Sequence, residues 1–118
     1  METRTTELAQ LDCTTRRDDG SPLTDDELTH LRAFVPQWEV IDRAGIKHLT
    51  RTFGFADFAQ ALAFTVQVGT VAEAEGHHPS LMTGWGRVTV TWWTHKIKGL
   101  HRNDFIMAAK TDRLYASR

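Results

Sequence analysis

One stretch constrains the fold more than any other: DFAQALAFTVQVGTVAEAEG, residues 57–76. It is the longest helical pattern in the chain, and both of its ends are signalled. Asp57 followed three residues later by Gln60 makes a capping-box pair. Gly76 follows the last turn, where a C′ glycine belongs. Phe58, Ala61, Leu62, Thr65, Val68, Val71 and Ala72 are expected on one face. Gly69 in the interior costs up to about 1 kcal/mol against alanine, which points to close packing there.

Strand patterns flank this helix. WEVIDRAGIKHLTRTF reads as two strands around a bend at Gly45, with Trp38 and Val40 on one face. RVTVTWWTH reads as a further strand, in which Trp92 and Trp93 face opposite ways, one of them into the core. Trp38 is expected in the core or an interface, and His30 and His48 as surface or structural histidines. TDDELTHLRAF opens with a Thr24–Glu27 capping box, carries Leu28, Leu31 and Phe34 as its stripe and stops before Pro36. RNDFIMAAKTDRLY closes the chain as a helix. The order is helix, strand, strand, helix, short strand or loop, strand, helix. That order predicts an α+β domain: an antiparallel sheet with helices packed on one face. Residues 1–20 are mostly polar and are expected as a loosely held, flexible N-terminal arm.

The 118 residues amount to one domain, and a formal net charge of -1 offers no basic field to nucleic acid or to an anionic membrane. No apolar run approaches the roughly 20 residues that span a bilayer. The polar start does not read as a secretory signal, so the cytoplasm is the expected location. The single Cys13 allows neither an internal disulfide nor a CxxC site.

Chemistry concentrates in EAEGHHPSLMTGW, residues 73–85. A cationic imidazole at a helix C-terminus is favourable by roughly a few tenths to 1 kcal/mol, so His77 and His78 have a plain structural reading. Adjacent residues of an extended segment point to opposite sides, however, so one capping task does not account for both. His95 ends the following strand, and an antiparallel return would bring it near the helix exit. Trp85 offers a flat wall, and Glu73 lies one turn before His77. Three imidazoles can hold zinc. Neighbouring histidines do not readily face one ion, and no HxxxH or HExxH spacing is present, so no metal is expected. Histidine carries protons near neutral pH, and each acid or base role typically contributes about 10²–10⁴-fold. With no nucleophile elbow and no evident base for Cys13, acid–base chemistry without a covalent intermediate is favoured.

Taken together, Glu73, His77, His78, Pro79, Trp85, His95 and Asp104 resemble the signature of the pterin-4a-carbinolamine dehydratases. That signature is an acidic residue, three positions, His-His-Pro, an aromatic, a third His and an Asp. LTDDEL with Trp38, and TFGFADFAQALAFTVQV, resemble the family's opening and central helices. The resemblance covers about residues 22–115. It implies a four-stranded antiparallel sheet with helices packed on one face, residues 21–118 as a single domain of that kind, and homodimers or homotetramers. It implies loss of water from a 4a-hydroxytetrahydropterin to give the quinonoid dihydropterin, without metal or organic cofactor. The aromatic amino-acid hydroxylase pathway is the implied partner.

On this resemblance His77, His78 and His95 are catalytic. Glu73 orients His77, Pro79 and Trp85 line the substrate, the Thr94 backbone meets the pterin amide edge, and Asp104 holds the region of the third histidine. The chain departs from the family at His101, where Ser or Thr is usual, at the bulky Trp92 and Trp93, and at Thr83, where asparagine is common. The alternatives are a non-catalytic binding module of the same fold, such as a transcriptional coactivator or Rubisco assembly factor, and an enzyme of another pterin.

Overall fold

The computed structural model describes residues 2–13 and 21–118, with side chains from Thr5 onward. The elements in order are α1 (Glu2–Ala9), α2 (Asp25–Arg32), β1 (Glu39–Arg43), β2 (Ile46–Gly54), α3 (Phe58–Glu75), β3 (Ser80–Gly84), β4 (Arg87–Trp92), a 3₁₀ turn (His95–Ile97) and α4 (Arg102–Ala116). The strands form one sheet in the order β1-β2-β4-β3, antiparallel throughout. The fold class is therefore the expected α+β. No helix among the described residues is long and apolar enough to cross a membrane.

Local chemistry explains each boundary. Both arms of the α2 capping box form: Glu27 N–H donates to Thr24 Oγ1 at 3.2 Å, and Thr24 N–H to Glu27 Oε1 at 2.8 Å. At the start of α3, Asp57 Oδ1 accepts the Gln60 N–H at 2.8 Å. The β1–β2 bend takes positive φ at both Ala44 (55°) and Gly45 (83°), the twist a tight hairpin demands.

Alternation along the strands divides the sheet. Leu49, Phe53, Val88, Val90 and Trp92 enter the core with Trp38, Phe64, Phe105 and Ile106. The opposite face carries threonines that bond across the strands, Thr50 to Thr91 at 3.0 Å and Thr52 to Thr89 at 2.8 Å. Thr83 lies on the helix side, where its hydroxyl meets that of Thr65 at 2.6 Å.

Four expectations need correction. A Cβ on residue 69 would meet nothing within 4 Å, so no close packing accounts for Gly69. The inward stripe of α3 is Ala61, Phe64, Val68 and Ala72, while Phe58 and Leu62 are exposed together with Val66. The helix carries two apolar stripes, and only tertiary packing selects between them. The last strand stops at Trp92 rather than His95. Beyond it Thr94 and Gly99 exchange backbone hydrogen bonds and close a small loop, with Lys98 at φ 53°. The loose arm expected over residues 1–20 does not hold for its described part: Leu8 and Ala9 of α1 are buried, and α1 packs on α4. Residues 14–20 lie outside the described residues.

Candidate active site

The exit of α3 places the two neighbouring histidines. Gly76 adopts the left-handed conformation at φ 68°, its N–H donates to Glu73 O, and the His77 N–H donates to Ala72 O, both at 3.2 Å. This is a complete Schellman motif. A Cβ on residue 76 would meet nothing within 4 Å, so the φ angle and not space demands glycine. Pro79 then disfavours helical backbone at His78, and the chain leaves extended. The two rings diverge: the His77 side chain is 14% exposed, that of His78 63%.

His77 turns inward onto a buried carboxylate. Its Nε2 lies 2.6 Å from Asp104 Oδ1. Asp104 Oδ2 accepts from Thr94 Oγ1 at 2.8 Å and from His101 N–H at 2.9 Å. Asp104 is fully buried in the first turn of α4, where the helix dipole favours negative charge. A carboxylate only accepts, so His77 Nε2 is the donor; in the neutral ring the lone pair then lies on Nδ1. Trp92 lies parallel to the His77 ring, 5.7 Å between centroids and 5° between planes. His101, noted as a departure at this position, itself supplies the N-cap: its Nδ1 accepts the Asn103 N–H at 3.0 Å.

Glu73 holds His78 and not His77, with Nε2 to Oε1 at 2.8 Å. The assignment of Glu73 to His77 is overturned by the turn at Gly76. That turn sends His77 under the sheet's end and leaves His78 over the exposed last helical turn. Both partners of the His78 pair are well exposed, so the bond is worth at most a few tenths to about 1 kcal/mol.

His95 follows the end of β4 and is exposed. Its ring lies 4.5 Å from that of Trp93, which in turn lies 4.3 Å from His48. Trp92 and Trp93 do face opposite ways, and each backs a different imidazole. Asp104 brings His77 beside Thr94, the residue preceding His95. His78 and His95 each keep a separate partner. Pro79 is half-buried. Trp85 sits in the β3–β4 turn and is 74% exposed. A cavity of about 900 Å³ lies elsewhere, between α1, α2 and the start of α4, and none of these three imidazoles lines it.

Sequence reasoning missed the supports: His101 as cap, and Trp92 and Trp93 as ring partners. Strand alternation signals the last two, because it sends consecutive indoles to opposite faces beside the third histidine. Cys13 offers no competing nucleophile, since burial first and the Glu75 carboxylate second push its thiol up to about 12.

The family model for pterin 4 alpha carbinolamine dehydratase matches residues 21–114. A protein of Chlorobium limicola that carries the pterin-4-alpha-carbinolamine dehydratase name is 59% identical over 92% of this chain and 96% of its own length. One of Microcystis aeruginosa with the same name is 53% identical over 93% of this chain and 95% of its own. The crystal structure of a transcriptional coactivator/pterin dehydratase from Brucella melitensis superposes with a TM-score of 0.72 at 32% identity, covering 80% of this chain and 99% of that one. A pterin dehydratase-like RuBisCO assembly factor of the alpha-carboxysome shares the fold, with a TM-score of 0.58 at 24% identity over 70% of this chain and 93% of its own. By the family match and by these identities, the chain belongs to the pterin 4 alpha carbinolamine dehydratase family.

Proposed function

We propose that this chain is a hydro-lyase that removes water from a 4a-hydroxytetrahydropterin to give the quinonoid dihydropterin, as a step in tetrahydropterin recycling. The hydroxyl on C4a leaves as water after taking up a proton, and N5 gives one up, so the reaction is a proton exchange around a flat heterocycle. His77, His78 and His95 carry these protons. The observation that bears most on this reading is the His77–Asp104 bond, in which Nε2 donates, so that Nδ1 is the nitrogen that gains and loses the proton. Glu73 does the same for His78, at the surface. Trp85, mostly exposed, is free to lie against a pterin ring. Pro79 shapes the wall beside His78, and Thr94 offers backbone groups next to His95.

We further propose that the chain works as a homodimer or homotetramer in the cytoplasm, supplying an aromatic amino-acid hydroxylase with recycled cofactor. The exposed apolar stripe Phe58, Leu62 and Val66 on α3 supports self-association, which sedimentation velocity checks.

The test is absorbance on mixing the purified protein with freshly generated 4a-hydroxytetrahydropterin at neutral pH. The quinonoid product is expected faster than in buffer, without added metal. His77→Ala and His78→Ala are each expected to slow it at least about tenfold, at or below the low end for acid–base groups. A wild-type rate no faster than buffer would turn the reading to a binding module.

A further inference from the structure

Two charged groups, one buried and one half-buried, play no part in the chemistry above. Lys110, on α4, is nearly buried, and its Nζ donates to Ala9 O at 2.9 Å, the carbonyl that ends α1. The same ammonium lies 3.6 Å from Glu75 Oε2. Glu75 Oε1 accepts the Cys13 N–H at 3.0 Å, and Cys13 Sγ rests 4.0 Å from Asn103 O. Glu75 is the last residue of α3, two before His77, and Asn103 immediately precedes Asp104. The segment from α1 to Cys13 is thus fastened at the same time to the two stretches that carry the His77–Asp104 pair.

We propose that Lys110 and Glu75 are positioning residues for that pair: they clamp the N-terminal segment across the end of α3 and the start of α4, and so hold His77 against Asp104. The physical need is clear at both ends. A helix terminus frays unless its last groups are tied, and a short bond such as that of His77 to Asp104 tolerates little displacement of either root. Lys110 satisfies the end of α1, the end most in need of a cation. Glu75 in turn joins the end of α3 to that ammonium and to the Cys13 amide. The consequence for rate rests on the dehydratase reading; the consequence for His77 itself does not.

The experiment follows the imidazole directly, by ¹H–¹⁵N NMR of the His77 Nε2–H in the full chain at pH 7, beside steady-state rates. Lys110→Met is expected to move and broaden that signal, and to lower kcat about threefold or more with KM changed less. Lys110→Arg restores both. Tyr115→Phe, which removes the bond from the Tyr115 hydroxyl to Gly54 O, lowers Tm and leaves the signal in place. If Lys110→Met does not fold, the double variant Lys110→Met/Glu75→Gln, which leaves no lone buried charge, carries the same test. A folded variant with the wild-type His77 signal overturns the proposal. A displaced signal in a protein that shows no dehydration even as wild type upholds the clamp and removes only the dehydratase reading.

Discussion

Asp104 serves two structures with one side chain. One oxygen holds His77; the other takes the His101 N–H and the Thr94 hydroxyl. Replacing it by alanine would mix a lost cap with a lost orienting group. Asp104→Asn keeps the shape but places an NH₂ among donors. It is expected to lower kcat by roughly 10²-fold, within the range for acid–base groups. It should also cost about 1–3 kcal/mol for the unsatisfied buried polar group, read by chemical denaturation. His101→Ala removes the cap, a loss of about 1 kcal/mol with the rate little changed, and His101→Ser is expected to restore the capping bond. The same side chains mark how far the sequence could be read. The spacing and the family resemblance singled out Asp104 and the three histidines. Imidazole is not among the usual N-caps, so His101 was counted as a departure. Glu73 was assigned to His77 because sequence distance on a helix says nothing of where a left-handed residue turns the chain.

Among the elements, α3 shows which signals survive from sequence to structure. Its start at Asp57 and its end at Gly76 were legible because capping is local chemistry. Its buried face was less so: Phe64 is in the core and Leu62 is not, and two apolar stripes on one helix look alike until a sheet covers one of them. The described part of the N-terminal arm was misjudged for a similar reason. Polar composition hides the buried Leu8 and Ala9, and the lysine that ties their helix lies about a hundred residues away. The succession of helices and strands along the chain, in contrast, followed from alternation and turn residues. Gly76 gives the sharpest test at this scale. Gly76→Ala meets no steric obstacle, so its cost isolates the left-handed φ, about 1–2 kcal/mol. Urea denaturation should show that loss, and Gly76→Asn, which tolerates this region, should show less.

Across the whole molecule, a polar link on α4 ties elements far apart in sequence. Asp112 on α4 accepts from Trp38 Nε1 at 2.8 Å and from Arg51 at 2.7 Å, joining helix, sheet and the loop before β1. Burial raises the Asp112 pKa, against the lowering effects of Trp38 and Arg51. A carboxyl whose folded pKa is raised contributes stability below its unfolded value, and that contribution is lost as pH rises through the folded one. Arg51→Met leaves the carboxylate without its cation and is expected to cost roughly 3 kcal/mol at pH 7, the lower end for a buried pair. The deficit should shrink toward pH 4 as Asp112 takes up its proton, and denaturant midpoints at the two pH values check this. β4 carries a different dependence. Trp92 goes below the sheet to His77 and Trp93 above it to His95, on consecutive residues. One residue inserted between Arg87 and Thr91 would turn the strand over, exchange the two indoles and deprive both imidazoles of their backing in a single event. The chain can therefore absorb length changes at the Trp85 tip far more readily than in the six residues that follow Gly86.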